Sequence, residues 1–249
     1  MTTDIAATYR EQRERDWADF TSRSGPTQDY WGLWEERSFG WKVPIDFVQP
    51  LGIESATFFE PLQPLLDALG ELEEVEVPPV EWLHATYIQI GFMRPFDILW
   101  SQVETFYVNA APRIHRLEPF PLHIGGISVA DDERIYLGID DGGNYREARR
   151  VIGLGVPKVY EIMRKDPLLT DDGDAYIPMI DIGYLTGRGD RDRVIEAIQP
   201  HREIDLGTIT PDKLKMARMP IQPHAHYAGI DVVAEIPMYG KDARKGYHN

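Results

Sequence analysis

Residues Pro79 to Phe92 read PVEWLHATYIQIGF, and this stretch decides how the rest of the chain is interpreted. Its last twelve residues are rich in β-branched and aromatic types, which predicts a strand. Side chains alternate across a strand, so His84 and Thr86 share one face while Ala85 and Tyr87 share the other. An imidazole that titrates near neutral pH beside a hydroxyl can do chemistry on a phosphate group. The same spacing also occurs in ordinary strands, where the histidine faces solvent or is hydrogen-bonded in the core.

The composition limits the classes of protein that this chain can belong to. With 249 residues, of which 43% are hydrophobic, it can bury a sizeable core in one large domain or two small lobes. Its formal net charge of −15 repels polyanions, so we expect no long nucleic acid as a partner. The absence of cysteine excludes disulfides and thiolate sites and favours a reducing compartment. No apolar run approaches the roughly 20 residues that span a bilayer, so we expect no membrane association and a cytoplasmic location.

Helical and strand patterns alternate along the whole chain. Apolar periodicity predicts helices at 4–20, 56–69, 98–111, 145–163 and 191–198, and strands at 43–48, 81–92, 122–130, 135–139, 175–184, 204–214 and 226–236. This mixture, with a coarse echo between its two halves, predicts an α+β fold of two duplicated lobes. We expect antiparallel-rich sheets with helices outside and a central cleft. Residues 1–28 are predicted to form an N-terminal helix and linker, and residues 29–249 the two-lobed domain.

The stretch around His84 resembles the first motif of the two-histidine phosphoesterase superfamily, the 2′-5′ RNA ligase-like proteins. In that family a strand carries histidine, any residue, then threonine or serine, and a glycine follows; here these are His84, Thr86 and Gly91. The resemblance extends over about residues 29–238. It implies a small phosphate- or nucleotide-containing ligand and hydrolysis of cyclic phosphodiesters by two facing imidazoles, with no cofactor. One imidazole would act as general base and the other as general acid, while two hydroxyls hold the phosphate.

The second motif of the family departs at both chemical positions in this chain. The matching stretch, Pro178 to Tyr184, reads PMIDIGY, so Met179 stands where the family has histidine and Asp181 where it has a hydroxyl residue. A thioether cannot transfer protons. A carboxylate close to a phosphate is repulsive unless a cation or a protonated His84 lies between them. The departure therefore leaves open whether this chain is an enzyme.

Three interpretations follow for the site. In the first, the chain is a divergent phosphodiesterase-like hydrolase, with His84 as general base or acid, Thr86 as a hydrogen-bond donor to a phosphate oxygen and Asp181 as an orienting or proton-accepting group. In the second, the chain is a noncatalytic ligand-binding protein on the same fold, with Met179 closing one side of the cleft. In the third, it is a repurposed enzyme for a small metabolite, in a cleft without cations for phosphate. Arg94, Lys215 and Arg218 are the cations whose positions distinguish this last interpretation.

Other residues are weaker candidates for the site. His123 could project into the cleft beside the strand of Met179, and Tyr184 ends the stretch that matches the second motif, so both are assigned to ligand binding together with Met179. His224 and His226 have the spacing of two metal ligands but no third one, and we expect no metal. The tryptophans and tyrosines between residues 30 and 41 could stack on bases, but core packing is the favoured interpretation.

Overall fold

A nine-stranded sheet runs through the computed structural model, which describes residues 5–38, 43–93, 100–156, 176–221, 226–227 and 229–240. Every pair of neighbouring strands in the described part of the chain is antiparallel. The strands are β1 Val43–Gln49, β2 Val75–Glu76, β3 Ala85–Met93, β4 Leu122–Val129, β5 Arg134–Asp140, β6 Met179–Leu185, β7 Asp205–Ile209, β8 Lys213–Arg218 and β9 Asp231–Pro237. Together with the helices they confirm the predicted α+β class.

The helices accompany the sheet at several points along the chain. They are α1 Ile5–Ser22, α2 Tyr30–Ser38, α3 Leu51–Glu54, α4 Gln63–Gly70, α5 Trp100–Ile114, α6 Asn144–Gly155 and α7 Arg191–Ile198, with 3₁₀ turns at Ala56–Leu62, Val80–Trp82 and Gln199–His201. The helix predicted over 56–69 is therefore divided. Pro61 lies inside the 3₁₀ segment and Pro64 occupies the first turn of α4, and neither proline can donate a backbone hydrogen bond.

The element boundaries differ from the prediction where turns interrupt an apolar run. The strand around His84 begins at Ala85, because a 3₁₀ turn occupies the residues before Leu83. The predicted strand 204–214 is two strands, β7 and β8. The last strand begins at Asp231, five residues later than predicted from the sequence. The predicted helix 145–163 is seen as α6, and its last seven residues lie outside the described part of the chain.

The sheet consists of two halves that meet edge to edge. Its strand order is β7-β4-β5-β6-β3-β1-β8-β9, with β2 paired to β6. The two outer groups of four strands meet where β6 and β3 are joined by one residue pair, Ala85 with Ile180. Both residues are fully buried, and Tyr87 and Ile182 extend the same buried face. The two lobes expected from the sequence are thus halves of one continuous sheet.

Helix α1 packs on β4 and β5. Its buried residues Tyr9, Trp17 and Phe20 recur on one side of the helix, as in an ordinary amphipathic helix. The division of the chain at residues 28 and 29 stays a prediction. Among the described residues, the structure contains no helix that is long and apolar enough to cross a membrane.

Candidate functional site

The single pair between β3 and β6 brings the two motif positions to one face of the sheet. Because Ala85 lies opposite Ile180, the flanking residues lie opposite each other in the same way, His84 near Asp181 and Thr86 near Met179. All four of these side chains are half-buried, whereas Ala85 and Ile180 are fully buried. Met179 and Asp181 therefore lie on the same face of the sheet as His84 and Thr86, as expected for these two positions. The functional roles of the four residues stay predictions.

His84 is held by the turn that precedes its strand. Its Nδ1 contacts the backbone carbonyl oxygen of Trp82, and a carbonyl oxygen only accepts, so Nδ1 carries the proton and Nε2 carries the lone pair in the neutral ring. Burial lowers the pKa of the His84 imidazole below its ordinary value of 6.5, and the bond to Trp82 and the charge of Asp181 oppose this shift in part. The ring is thus neutral at physiological pH and is able to accept a proton at Nε2.

Asp181 is engaged by a cation that comes from the neighbouring strand. Arg134 of β5 donates from Nη1 to both carboxylate oxygens of Asp181, at 3.2 and 3.4 Å, and from Nε to Asp132, at 2.8 and 3.0 Å. Burial acts to lower the pKa of Arg134, but the charges of Asp132 and Asp181 raise it well above its ordinary value. The Asp181 carboxylate is therefore held by a permanent positive charge.

A β-bulge in β6 brings Tyr184 to the same face as Asp181. Arg134 pairs with Tyr184 and Tyr136 pairs with Asp181, so Ile182 is an extra residue between the two pairs. Without the bulge, residues 181 and 184 would point to opposite faces. With it, the Tyr184 hydroxyl lies 3.4 Å from Oδ2 of Asp181 and accepts a hydrogen bond from the Trp82 indole at 3.1 Å. This bond connects Tyr184 to the turn that holds His84.

An aromatic cluster closes the end of the site next to β2. Its members are Tyr30, Trp31, Trp82, Tyr184 and Tyr227. Trp31 lies with its ring centroid 4.9 Å from that of Tyr184 and 4.5 Å from the imidazole of His226, on which it stacks. Trp31 and Trp34 are buried. For these described residues the packing interpretation of the tryptophans is confirmed; Phe39 and Trp41 lie outside the described residues.

Helix α1 bounds the site on the side of β4 and β5. Tyr136, which pairs with Asp181, donates from its hydroxyl to Oδ2 of Asp16 at 2.6 Å. The Arg13 guanidinium lies over Gly138, which pairs with Met179, and its two terminal nitrogens bind Asp140 at 3.3 Å. A side chain on Gly138 would collide with Arg13. The helix thus lies on the same face of the sheet as the motif residues.

The structure corrects the expected position of His123. β5 lies between the strand of His123 and the strand of Met179, so the expectation that they are neighbours is wrong. Instead, His123 bonds to Thr208 Oγ1 at 3.2 Å and lies 3.4 Å from Asp205 Oδ1, both on β7. Its side chain is 43% exposed. Its face is the expected one, but two strand spacings of about 4.8 Å separate it from Met179.

Two of the three cations whose positions distinguish the repurposed-enzyme interpretation, Lys215 and Arg218, are paired with carboxylates. Lys215 of β8 lies 2.9 Å from both Glu54 and Glu235. Arg218 bonds to Asp231. Arg94 lies outside the described residues. In the described part of the chain, Arg134 binds Asp181 directly, and Arg13 of α1 lies on the same face beside Met179.

The histidine spacing near the C-terminus forms no metal site in the described residues. His226 contacts Oε1 of Glu76, and His224 lies outside the described part of the chain. Within the described ranges, no group of three or more histidine, aspartate or glutamate side chains could hold a metal ion.

Sequence reasoning missed two functional candidates, Arg134 and Arg13. Arg134 is 47 residues from Asp181 in the chain, and Arg13 is 127 residues from Asp140. Neither belongs to a motif, and only strand pairing and helix docking bring them to the site. The weak signal that existed was the repulsion expected at Asp181, which called for a nearby cation without indicating which one.

No protein-family model and no curated protein matches the sequence. In contrast, 29 chains of solved structures match the fold. TT0787 of Thermus thermophilus is 16% identical with a TM-score of 0.59, over 80% of this chain and 99% of that one. LigT of E. coli, crystallised with ATP, is 11% identical with a TM-score of 0.56, over 79% and 98%. A structure described as a phosphoesterase is 8% identical with a TM-score of 0.54, over 80% and 98%.

Proposed function

We propose that this chain, which has the fold of E. coli LigT, acts on a small phosphate- or nucleotide-containing ligand with His84 as its proton-transfer group. The observation that carries the proposal is the arrangement at the β3–β6 pair, which is the seam between the two halves of the sheet. There His84 and Thr86 lie across from the strand of Asp181, and Arg134 binds Asp181. A ligand phosphate above this seam would meet a hydroxyl donor, a guanidinium and a neutral imidazole. The proposed reaction class is phosphodiester hydrolysis without a metal ion.

The charges around the seam favour a ligand phosphate with a single negative charge. Arg134 carries one positive charge but binds two carboxylates, Asp132 and Asp181, so one of these carboxylates is not compensated by it. A phosphomonoester carries about −1.5 to −2 at neutral pH, whereas a diester or cyclic phosphate carries one charge. Repulsion in a poorly solvated cleft rises with that charge. We therefore expect cyclic phosphates or phosphodiesters to bind more tightly than monoesters.

The side chains that can accept or donate a proton at the site favour a slow rather than a fast reaction. Neutral His84 can remove a proton from the attacking water or hydroxyl through Nε2. The described residues place no matching acid opposite it, because Met179 cannot donate, and burial raises the pKa of the Tyr184 phenol well above its ordinary value, so that it holds its proton. The leaving oxygen would take its proton from water. Loss of a positioned acid costs about 10²–10⁴-fold in rate.

Binding without turnover is the second candidate function. The observation that favours it is the position of Met179, whose side chain is half-buried and lies across the β3–β6 boundary from Thr86. A thioether there covers the side of the cleft where a second imidazole would act. In this case His84, Thr86 and Arg134 would form a recognition site only, and the ligand would leave unchanged.

The test is a metal-free assay of the wild type and the His84→Ala variant, with binding followed in parallel. Suitable probes are 2′,3′-cyclic nucleotides, short 2′-5′-linked oligonucleotides and 3′-AMP as the monoester comparison. His201→Ala is a matched control, because this histidine lies in a 3₁₀ turn outside the site. Turnover lost only in His84→Ala supports the hydrolase. Binding without turnover supports the second candidate, and neither binding nor turnover contradicts both and points to a small metabolite without phosphate.

A further inference from the structure

Helix α1 occupies part of the sheet face on which the proposed ligand would lie. Met179 pairs with Gly138 and Asp181 pairs with Tyr136, so these four residues share one face. On β4, Ser128 pairs with Tyr136 and continues that face. The Ser128 hydroxyl donates to the backbone oxygen of α1 residue Arg13 at 2.9 Å. The helix therefore lies over the motif face of β4 and β5.

Arg13 fills the position next to Met179. A methyl group on either Gly126 or Gly138 would collide with the Arg13 side chain, so the two glycines leave a slot for the guanidinium. The positive φ of 68° at Gly126 also favours glycine there. Cross-strand neighbours have β-carbons about 5 Å apart, so the guanidinium over Gly138 adjoins the Met179 side chain.

Several contacts fix α1 in this position in addition to Arg13. The hydrogen bond from Tyr136 of β5 to Asp16 of α1 is 2.6 Å long, and within the helix Gln12 orients that carboxylate by donating to its other oxygen at 2.7 Å. Trp17 and Phe20 are buried in the core, and Phe20 lies under the guanidinium of Arg191 at 4.5 Å. These contacts indicate a fixed wall, since they include core packing as well as polar bonds.

We propose that α1 determines the size of the ligand, by closing the β4–β5 half of the motif face with Arg13 and Asp16. Gly138 lies one strand spacing, about 4.8 Å, from Met179 and is covered by Arg13, so a ligand that extends from Met179 onto β5 would meet the helix. We therefore expect a single nucleotide with a cyclic phosphate to bind beside α1, and an oligonucleotide that continues across β5 and β4 to be excluded. The inference rests on the proposed function and specifies its ligand class.

The test compares two probes that carry the same reacting group. These are 2′,3′-cyclic AMP and an adenosine tetranucleotide that ends in a 2′,3′-cyclic phosphate, measured by titration against the full-length protein. The variants are Arg13→Ala, which empties the glycine slot, and Arg13→Lys, which keeps the charge and most of the length. Arg15→Ala is the matched control, because Arg15 is exposed on the same helix and interacts with Gln12 and Glu11. Hydrogen exchange of the α1 amides reports whether the helix stays docked.

We expect the wild type to prefer the mononucleotide by at least about tenfold, and Arg13→Ala to lose most of this preference. Arg13→Lys should retain most of it, and Arg15→Ala should retain all of it. If the wild type binds both probes equally, or if Arg13→Ala keeps the wild-type preference, the inference is overturned while the proposed function stands. If neither probe binds to any variant, both are overturned. If hydrogen exchange shows that Arg13→Ala releases α1, a gain in tetranucleotide binding still supports the wall.

Discussion

Replacing Met179 by histidine should create or raise phosphodiesterase activity. Met179 lies beside the location of Thr86 and opposite Gly138, on the face from which His84 projects. Its side chain is half-buried, and histidine is similar in size, so the replacement adds an imidazole without emptying the core. The introduced ring would supply the proton donor that the leaving oxygen lacks in the wild type.

The size of the effect follows from the surroundings of the position. A positioned general acid contributes about 10²–10⁴-fold, which corresponds to about 2.7–5.4 kcal/mol of barrier. The Arg13 guanidinium over Gly138 is a like charge for an imidazolium and lowers its pKa. A smaller fraction of the introduced ring is then protonated at neutral pH, although Asp140 offsets part of the Arg13 charge. We therefore expect a gain near the lower end, about 10²-fold.

The assay is hydrolysis of 2′,3′-cyclic AMP under metal-free conditions, followed over a range of pH. Met179→Gln is the matched control, since an amide is polar and similar in length but transfers no proton. The gain should vanish when His84→Ala is added to Met179→His, because the proposed base is then missing. If Met179→His binds the nucleotide, remains folded and is no faster than Met179→Gln, the inference that a general acid at position 179 can act together with His84 is refuted.

Three further predictions concern pH dependence and stability. The rate of any His84-dependent turnover should fall with acidification through a midpoint below pH 6.5, because burial lowers the pKa of His84. In Asp181→Asn this midpoint should move lower still, because the Asp181 charge that raises the pKa is removed. An unmoved or higher midpoint in the pH–rate profile of the variant contradicts this. Tyr136→Phe should lower the free energy of unfolding by about 1.5–3 kcal/mol, since it removes a hydrogen bond to the Asp16 carboxylate, and urea denaturation showing less than about 0.5 kcal/mol would argue against a docked α1. Burial raises the pKa of Asp46 well above its ordinary value, so the folded protein loses stability as the pH rises through that pKa. Asp46→Asn should therefore raise the melting temperature more at pH 8 than at pH 4. Equal shifts at the two pH values would contradict the burial argument.

The elements that sequence reasoning locates well are those with a strong local pattern. The strand after His84 is predicted because the segment is rich in β-branched and aromatic residues, and the structure fully buries Ala85 and Tyr87, which were expected to share a face. α7 is predicted with its observed bounds, Arg191–Ile198, and Asp190 caps it by accepting from the backbone N–H of Asp192. Local chemistry determines both elements, so one sequence is sufficient.

Other features depend on contacts between distant parts of the chain. The sequence of α2 indicates an aromatic segment and not a helix, because its helical pattern is weak. The helix depends on tertiary packing of Trp31 against Tyr184, which no local pattern shows. The bulge at Ile182 has no distinct sequence signal, yet it decides that Tyr184 shares a face with Asp181. The partner of Asp181 could not be named because Arg134 reaches it only across the β5–β6 ladder. Sequence thus predicts the motif positions but not the charges around them.

The narrow seam between the two halves of the sheet has a mechanical consequence. Only the pair Ala85 with Ile180 joins β3 to β6 in the described ladder, whereas β1 and β3 are joined along seven pairs. Shear between the halves therefore meets the least backbone resistance at the place where His84 and Asp181 face each other. A ligand that binds residues on both β3 and β6 would add contacts across this boundary. Its binding should reduce relative motion of the two halves of the sheet, because β3 and β6 are joined by a single residue pair in the described ladder.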